Sequence, residues 1–445
     1  MCRLKSGIIL KGRVFVPEYD SHTKMLEELG ITDDYLNASK TFVRVELFPT
    51  DGDAFSSIDT WKLNVDQDVT PDWYDEETYK PQVVAAVKEW AKGHIHNGVD
   101  GLKISSGQDH YIKDCKDVEI CGGATVKYIC DNATVKYICD NATVKNIRDN
   151  ATVENIRGNA TVKNIRDNAT VKNIYDNATV EYIYDNATVE YIYDNATVEY
   201  IRDNATVKNI RDNATVENIR GNATVKNICG SATVKYIYDN ATVKYIYGND
   251  NATVKYIYGN ATVEYIYGNA TVKNIRDNAT VENIRGNATV KNICGSATVK
   301  NIYDNATVEY IYDNATVEYI RDNATVKNIR DNATVENIRD NATVKYIRDN
   351  ATVKYIYGNA TVEYIYGNAT VENICGSATV KYICGSATVE NVKGMSVIVG
   401  GQYGWGKKET LILAENATFK DCQTKTIYQS GDWKLVGVDE KERKA

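Results

Sequence analysis

Proline is missing from the last 364 residues of this 445-residue chain; Pro17, Pro49, Pro71 and Pro81 are the only four. Residues 122–390 also contain no Leu, Phe, Trp, Met, Gln or His. A conventional core mixes Leu and Phe with other shapes to reach close packing, so this stretch is not a pair of ordinary globular domains, although its length would allow them. The lack of proline is what a backbone paired along its whole length requires, because proline has no N–H to donate. No run of about twenty apolar residues occurs, so no membrane-spanning helix is expected. Near the start only Ile8–Leu10 form an apolar stretch, too short for a secretory signal. The expectation is a cytoplasmic or virion-associated protein that does not act in a membrane.

What is present is regular. Hydrophobic residues make up 43% and charged residues 25%, the balance of a folded protein. The formal charge is −8. Residues 122–390 carry 29 Lys and Arg against 31 Asp and Glu, so there is no basic stripe for nucleic acid and too little acidity to imitate it. The ten cysteines are Cys2, Cys115, Cys121, Cys130, Cys139, Cys229, Cys294, Cys375, Cys384 and Cys422. Most fill a slot that elsewhere holds Tyr or Arg, and they read as reduced thiols rather than a disulfide framework.

From Gly122 the chain repeats every nine residues as N-A-T-V-[KE]-[YN]-I-[YRC]-[DG]. Thr recurs at 125, 134 and onward to 242, then from 253 to 388, giving 14 and 16 units, 30 in all. The break, at residues 248–251, inserts two residues. Val, Ile, Thr and Tyr favour strands. Ala and Val alternate with Thr and Lys/Glu, which puts the two sets on opposite faces. Ile follows Val by three, so the alternation slips once, as at a bulge. The closing Asp-Asn, Gly-Asn or Gly-Ser suits a turn with a left-handed residue. Ala, Val and Ile therefore face inward, and Thr, Lys/Glu and the two Tyr-containing slots face outward.

One unit cannot fold alone. Burying Val and Ile gains about 1.5–3 kcal/mol each, whereas ordering each backbone residue costs about 1–2 kcal/mol. Stacked neighbours must supply the rest. The fold class is mainly β, a parallel β-solenoid with a small N-terminal α+β domain. Coils of 18 residues (two units) are favoured over coils of 27; opposite charges in the Lys/Glu slot do not separate the two.

The flanks are ordinary sequence. Ile8–Val16, Thr41–Phe48 and Asp59–Val65 read as strands. Ser21–Leu29 reads as a helix stopped by Gly30, and residues 80–92 as a second helix with Pro81 in its first turn and Val83, Ala86, Val87 and Trp90 as its apolar stripe. The expected organisation is an N-terminal domain (1–102), a capping coil (103–121), the array (122–390) and a C-terminal cap (391–445), which holds a decayed repeat at 415–420. Caps close what would otherwise be open sheet edges.

The Asn-Ala-Thr-Val units, with Trp-Ala-Lys-Gly-His-Ile-His at 90–96 and Asp-His-Tyr-Ile-Lys-Asp-Cys at 109–115, resemble uncharacterised Asn-Ala-Thr-Val repeat proteins of gut bacteria and their phages. The resemblance implies a phage or prophage origin and brings no activity, cofactor or site residue with it.

Candidate chemistry is sparse. The array has no His, and its Glu shares a slot with Lys, which reads as a solvated face rather than an acid–base site. No catalytic, cofactor-binding or metal-ligating residue is assigned. His94, His96, Asp100 and His110 invite a metal-site reading through His-x-His, but surface or packing histidines account for them better. Cys121, Cys130 and Cys139 recur at nine; in an 18-residue coil Cys121 and Cys139 would be stacked, open to a soft metal or a disulfide, with free thiols the preferred reading. The single Thr column flanked by charge argues against ice binding, and the recurring Asn-Ala-Thr is repeat grammar rather than a glycosylation array.

The outer tyrosines form the candidate interaction ladder: Tyr182, Tyr184, Tyr191, Tyr193, Tyr200, Tyr245, Tyr247, Tyr256, Tyr258, Tyr265 and Tyr267. The expected function is a non-catalytic structural or interaction protein, a rigid repeat displaying Tyr, Arg and Thr ladders and anchored by its N-terminal domain. A glycan- or cell-surface-binding fibre or adhesin module is the alternative, and an enzyme within residues 1–110 a second one. The partner would be a protein or a surface glycan.

Overall fold

The computed structural model describes residues 4–248 and 251–400, together with the backbones of four short strands beyond them. The chain falls into two units: residues 1–182 with 186–188, and residues 183–185 with 189–445.

The first unit opens with the α+β domain. Strands β1 (Lys5–Leu10), β2 (Arg13–Phe15), β3 (Phe42–Phe48) and β4 (Lys62–Val65) form an antiparallel sheet in the order β2-β1-β3-β4. Alternation splits its apolar residues between two faces. Ile8 and Phe42 pack with Met25 and Leu26 of helix α1 (His22–Glu28) and with Ala38 of α2 (Tyr35–Ala38), a single turn that pattern reasoning did not anticipate. Ile9, Val43, Val45 and Leu47 face helix α3 (Glu76–His94).

Two helix expectations meet different outcomes. Gly30 follows α1 at φ 66°, as anticipated, and Ser21, expected inside the helix, caps it. Helix α3 starts earlier than expected, at Glu76, because the Asp75 side chain accepts the Thr78 N–H at 2.9 Å and Glu76 and Glu77 suit the positive helix end. Pro81 therefore lies one turn inside the helix, where it forgoes the bond to the Glu77 carbonyl. Val84 is buried where Ala86 was expected, so the stripe runs Tyr79, Val83, Val84, Val87, Trp90, Ala91 and His94. The third expected strand is split into a 3₁₀ turn, Ile58–Thr60, and β4.

Parallel pairing begins directly after α3. Strand β5 (Ile95–Asn97) pairs with β7 (His110–Lys113), and β7 with β9 (Thr125–Cys130). Strand β6 (Lys103–Ile104) pairs with β8 (Val118–Ile120). The domain and the first coils share one core, since Tyr111 is fully buried against Phe55 and Tyr128 and belongs to the cluster of Trp61 and Trp90.

The repeats form a parallel β-solenoid of about 17 turns of 18 residues. In the first unit Thr143–Ile147 pairs with Thr125 and Thr161 neighbours, and Thr134–Ile138 with Thr152–Ile156, each 18 residues apart. In the second unit the same pairing runs in two sheets, for example Thr206 with Thr224 and Thr215 with Thr233. Ala, Val and Ile of every unit from Ala124 to Ile374 are buried. The two-residue insertion makes one 20-residue coil: Thr242–Gly248 pairs with Thr262–Gly268, and Thr233 with Thr253.

Each turn uses one left-handed residue, such as Asp149 at φ 57° or Gly158 at φ 67°. Side chains then tie the turns of successive coils together. Asn159 donates to the Asn141 Oδ1 at 3.4 Å, and Asp176 accepts the Gly158 N–H at 3.1 Å. A Cβ on Gly158 would come within 3.0 Å of the Asp140 backbone nitrogen.

In the second unit Thr418–Asp421 continues the parallel ladder from Val397–Gly400, and Thr426–Gln429 and Val436–Gly437 then pair antiparallel. The first part of the expected decayed repeat, residues 415–417, lies outside the described residues, as do the side chains of all residues after 398.

Candidate interaction surface

The two outward slots flank the inward Ile of each strand. A residue in either slot therefore meets its counterpart one coil away, at ring-stacking distance. Tyr245 stacks on Tyr265 at 5.5 Å and Tyr247 on Tyr267 at 4.9 Å, in one sheet. Tyr256 and Tyr258 stack on Tyr236 and Tyr238 at 5.5 and 5.0 Å, in the other. The expected ladder is thus divided between two sheets.

Arginine follows tyrosine one coil later. Arg276 lies over Tyr256 and Tyr258 at 5.4 and 4.8 Å, Arg285 over Tyr265 and Tyr267 at 5.6 and 4.9 Å, and Arg211 over Tyr191 and Tyr193 at 5.5 and 4.6 Å. Arg202 lies over Tyr184 at 4.4 Å, and Arg220 over Tyr200 at 5.6 Å. Tyr182, in the first unit, is half-buried. Among these tyrosines Tyr191 is the most open, at 37% exposure.

Sequence reasoning passed over a second column, Tyr346–Tyr364–Tyr382, with spacings of 5.3 and 4.9 Å. Its signal was present: three tyrosines 18 residues apart. It became legible only with the coil length known. Tyr382 and Tyr355 expose 41% and 43% of their surface.

Burial pushes the phenols of Tyr238, Tyr258 and Tyr267 up. Tyr247 is pushed up to about 12, first by burial and then by Cys229. Tyr312 is pushed up to about 12 by its hydrogen bond with Cys294 and by burial. Such hydroxyls act as hydrogen-bond donors rather than bases.

Several array carboxylates are engaged in ion pairs across one coil or beside a turn. Lys208 meets Glu190 at 2.7 Å, Lys235 meets Glu217 at 2.6 Å and Lys354 meets Glu336 at 2.9 Å, each across one coil. Arg202 meets the adjacent Asp203 at 2.8 Å.

The histidines form a ring stack. Trp90, His94 and His110 lie face to face at 4.6 and 5.1 Å, and His96 stacks on His110 at 5.6 Å. His96 Nε2 lies 3.3 Å from His110 Nδ1, and the other ring nitrogens meet separate partners. The His94 Nε2 is 2.7 Å from Glu18, its Nδ1 is 2.8 Å from the Trp90 carbonyl, and the His110 Nε2 is 3.0 Å from the Ser106 carbonyl. Asp100 lies apart, bridged to Lys116. The rings are thus packed on one another and on Trp90.

The cysteines require a correction. Cys121 and Cys139 are joined as a disulfide, with Cα atoms 4.7 Å apart, rather than being free thiols. The cause is the 18-residue coil, which brings the same slot of consecutive coils to strand spacing. Cys130, in the other sheet, is buried and pushed up to about 12 by that burial. Cys2 and Cys422 lie outside the described residues.

Comparison of the chain with protein-family models, with curated proteins and with solved structures finds no match.

Proposed function

We propose that this protein is a non-catalytic structural or interaction protein: a rigid repeat solenoid that presents Tyr and Arg columns at fixed spacing, anchored through its N-terminal domain. The observation that carries this reading is the repeated geometry itself. Tyrosine rings stack 4.9–5.5 Å apart, and the stacks ending at Tyr265 and Tyr267 are followed by Arg285 one coil later, so what the array presents is a period. The shared core around Tyr111 and Trp90 supports the anchoring role. In keeping with the resemblance, the proposal includes a phage or prophage origin.

The test is a shortened chain. Removing ten units, which is five whole coils, keeps the register and the caps. The reading expects lost or weakened partner capture with the N-terminal domain still folded. Unchanged capture and unchanged phenotype would overturn it.

A second reading is recognition of a surface glycan. The exposed Tyr191, Tyr355 and Tyr382 favour it, because sugar faces stack on open aromatic rings. Glycan-array binding should fall on replacing these three with Ala; binding that survives the replacement removes this reading.

A further inference from the structure

We propose that Cys121, Cys139 and Asp140 form a redox-gated site for a soft divalent metal ion of the zinc type, with the disulfide as its closed state.

The site is made by register. The Cys139 N–H donates to the Ile120 carbonyl at 2.9 Å, which sets Cys139 directly on Cys121 in the next coil. Among the described residues no other two cysteines occupy the same slot of consecutive coils. One coil beyond Cys130 stands Arg148, beyond Cys229 Tyr247, beyond Cys294 Tyr312 and beyond Cys375 Lys393. Two sulfurs at strand spacing can close as a disulfide or clasp one ion between them.

The third ligand follows from the turn. Asp140 has φ 57°, and this left-handed backbone turns its carboxylate toward the preceding coil, where Oδ2 accepts the Gly122 N–H at 3.0 Å. The sulfurs and a carboxylate oxygen all lie within 4.8 Å of one another. Cys139 is buried, Cys121 half-buried and Asp140 exposed. An ion reaching the sulfurs from the Asp140 side would have one coordination position left for water. Two thiolates and one carboxylate suit Zn2+ or Cd2+ far better than Mg2+ or Ca2+.

The two states exclude each other, because the metal ligand is the thiolate and a disulfide has none. A dithiol reductant opens the gate: its two thiols transfer two electrons and two protons to the Cys121–Cys139 bond, leaving two protein thiols and an oxidised reductant. Metal binding then forms two metal–sulfur bonds and releases the two thiol protons. Either state links the coil of β8 to the next coil of this sheet, that of Thr134–Ile138, by a covalent bond or by an ion. The isolated thiols elsewhere do not compete well, since burial pushes Cys130, Cys229 and Cys294 upward and so disfavours their thiolates.

The experiment uses the full chain, reduced with a dithiol, freed of reductant without air and titrated with Cd2+, whose bonds to thiolate absorb in the near ultraviolet. Wild type should bind one Cd2+ with this absorption, and the air-oxidised chain should not. Cys121→Ser and Cys139→Ser should lose it, Asp140→Asn should bind about tenfold more weakly, and Cys229→Ser should match wild type. Cys139→Arg, a residue the slot holds elsewhere, provides a second knockout should a serine variant fail to fold. Absence of the absorption in the reduced wild type would overturn the site. So would its persistence in the Cys121 and Cys139 variants. Binding by the oxidised chain equal to that of the reduced chain would overturn the gate.

Discussion

The guanidinium carbon of Arg330 lies 4.3 Å from the centre of the Tyr312 ring one coil earlier, while its Nη1 is 2.6 Å from Asp331. The arginine is thus held between an aromatic face and its own turn, and the column ties coil to coil as well as facing outward. Tyr312→Leu and Arg330→Gln should each weaken this part of the array by about 0.5–1 kcal/mol, with a coupling of similar size in the double variant. Hydrogen exchange of the strand Thr325–Ile329 would report it. Additive effects would mean that the contact carries no energy of its own.

Ile320 is fully buried in a row of identical isoleucines, between Ile302 and Ile338, whose β-branched side chains are stiff. Ile320→Ala should cost about 2–5 kcal/mol through lost burial and the cavity left behind. Thr316→Ser, on the outward side of the same strand, should stay within about 0.5 kcal/mol. Because each coil contacts only its neighbours, the loss of exchange protection should centre on the adjoining coils. Uniform loss along the whole array would contradict this.

The histidine stack should make the N-terminal domain acid-sensitive. His96 is lowered to about 4, by burial first and then by His110 and His94. His110 is lowered too, chiefly by burial. In the unfolded chain both titrate near 6.5. Between about 4 and 6.5 the unfolded state therefore binds more protons, and stability rises with pH. The contribution is complete above about 6.5 and is lost as pH falls toward 4. Allowing for solvent screening, it is on the order of 1–2 kcal/mol. Urea midpoints at pH 7.5 and pH 5 should differ in this sense, and His96→Gln should reduce the difference. An equal slope in that variant would assign the effect elsewhere.

Lys5 has no exposed side-chain surface and meets Asp20 at 2.9 Å, with its ammonium 4.8 Å from the Trp90 ring. Asp20→Ala would leave a buried cation without its main counter-charge, which costs about 3–5 kcal/mol. Lys5→Met should cost far less, because it removes the charge and keeps the stem. Thermal unfolding of the two variants would show the asymmetry; equal losses would argue against it.

Much of this architecture was legible in the sequence. The period-two stretch Ala-Thr-Val, the slip before Ile and the Asp or Gly turn together specify strands whose Ala, Val and Ile face inward, as Ala160, Val162 and Ile165 do. Each of those signals is local: alternation, β-branching and left-handed turn propensity all act within nine residues. Gly30 likewise ends its helix as a local left-handed residue. The start of α3 was less clear, because Pro81 is a stronger letter than Asp75 although the Asp75 cap decides where the helix begins.

What the sequence determined by itself is the strand, its inward face and the exclusion of proline. What only the tertiary structure decided is how many strands close a coil. Every unit offers the same Ala, Val and Ile, so a shift of nine residues leaves the core unchanged and the letters cannot count the sides. The bend at each turn does the counting. Once 18 residues return the backbone to its starting slot, Cys139 lands on Cys121, Tyr364 on Tyr346 and Arg330 on Tyr312. Those pairings bring together residues far apart in the chain, and it is the geometry of the coil, not propensity at any one position, that makes them neighbours.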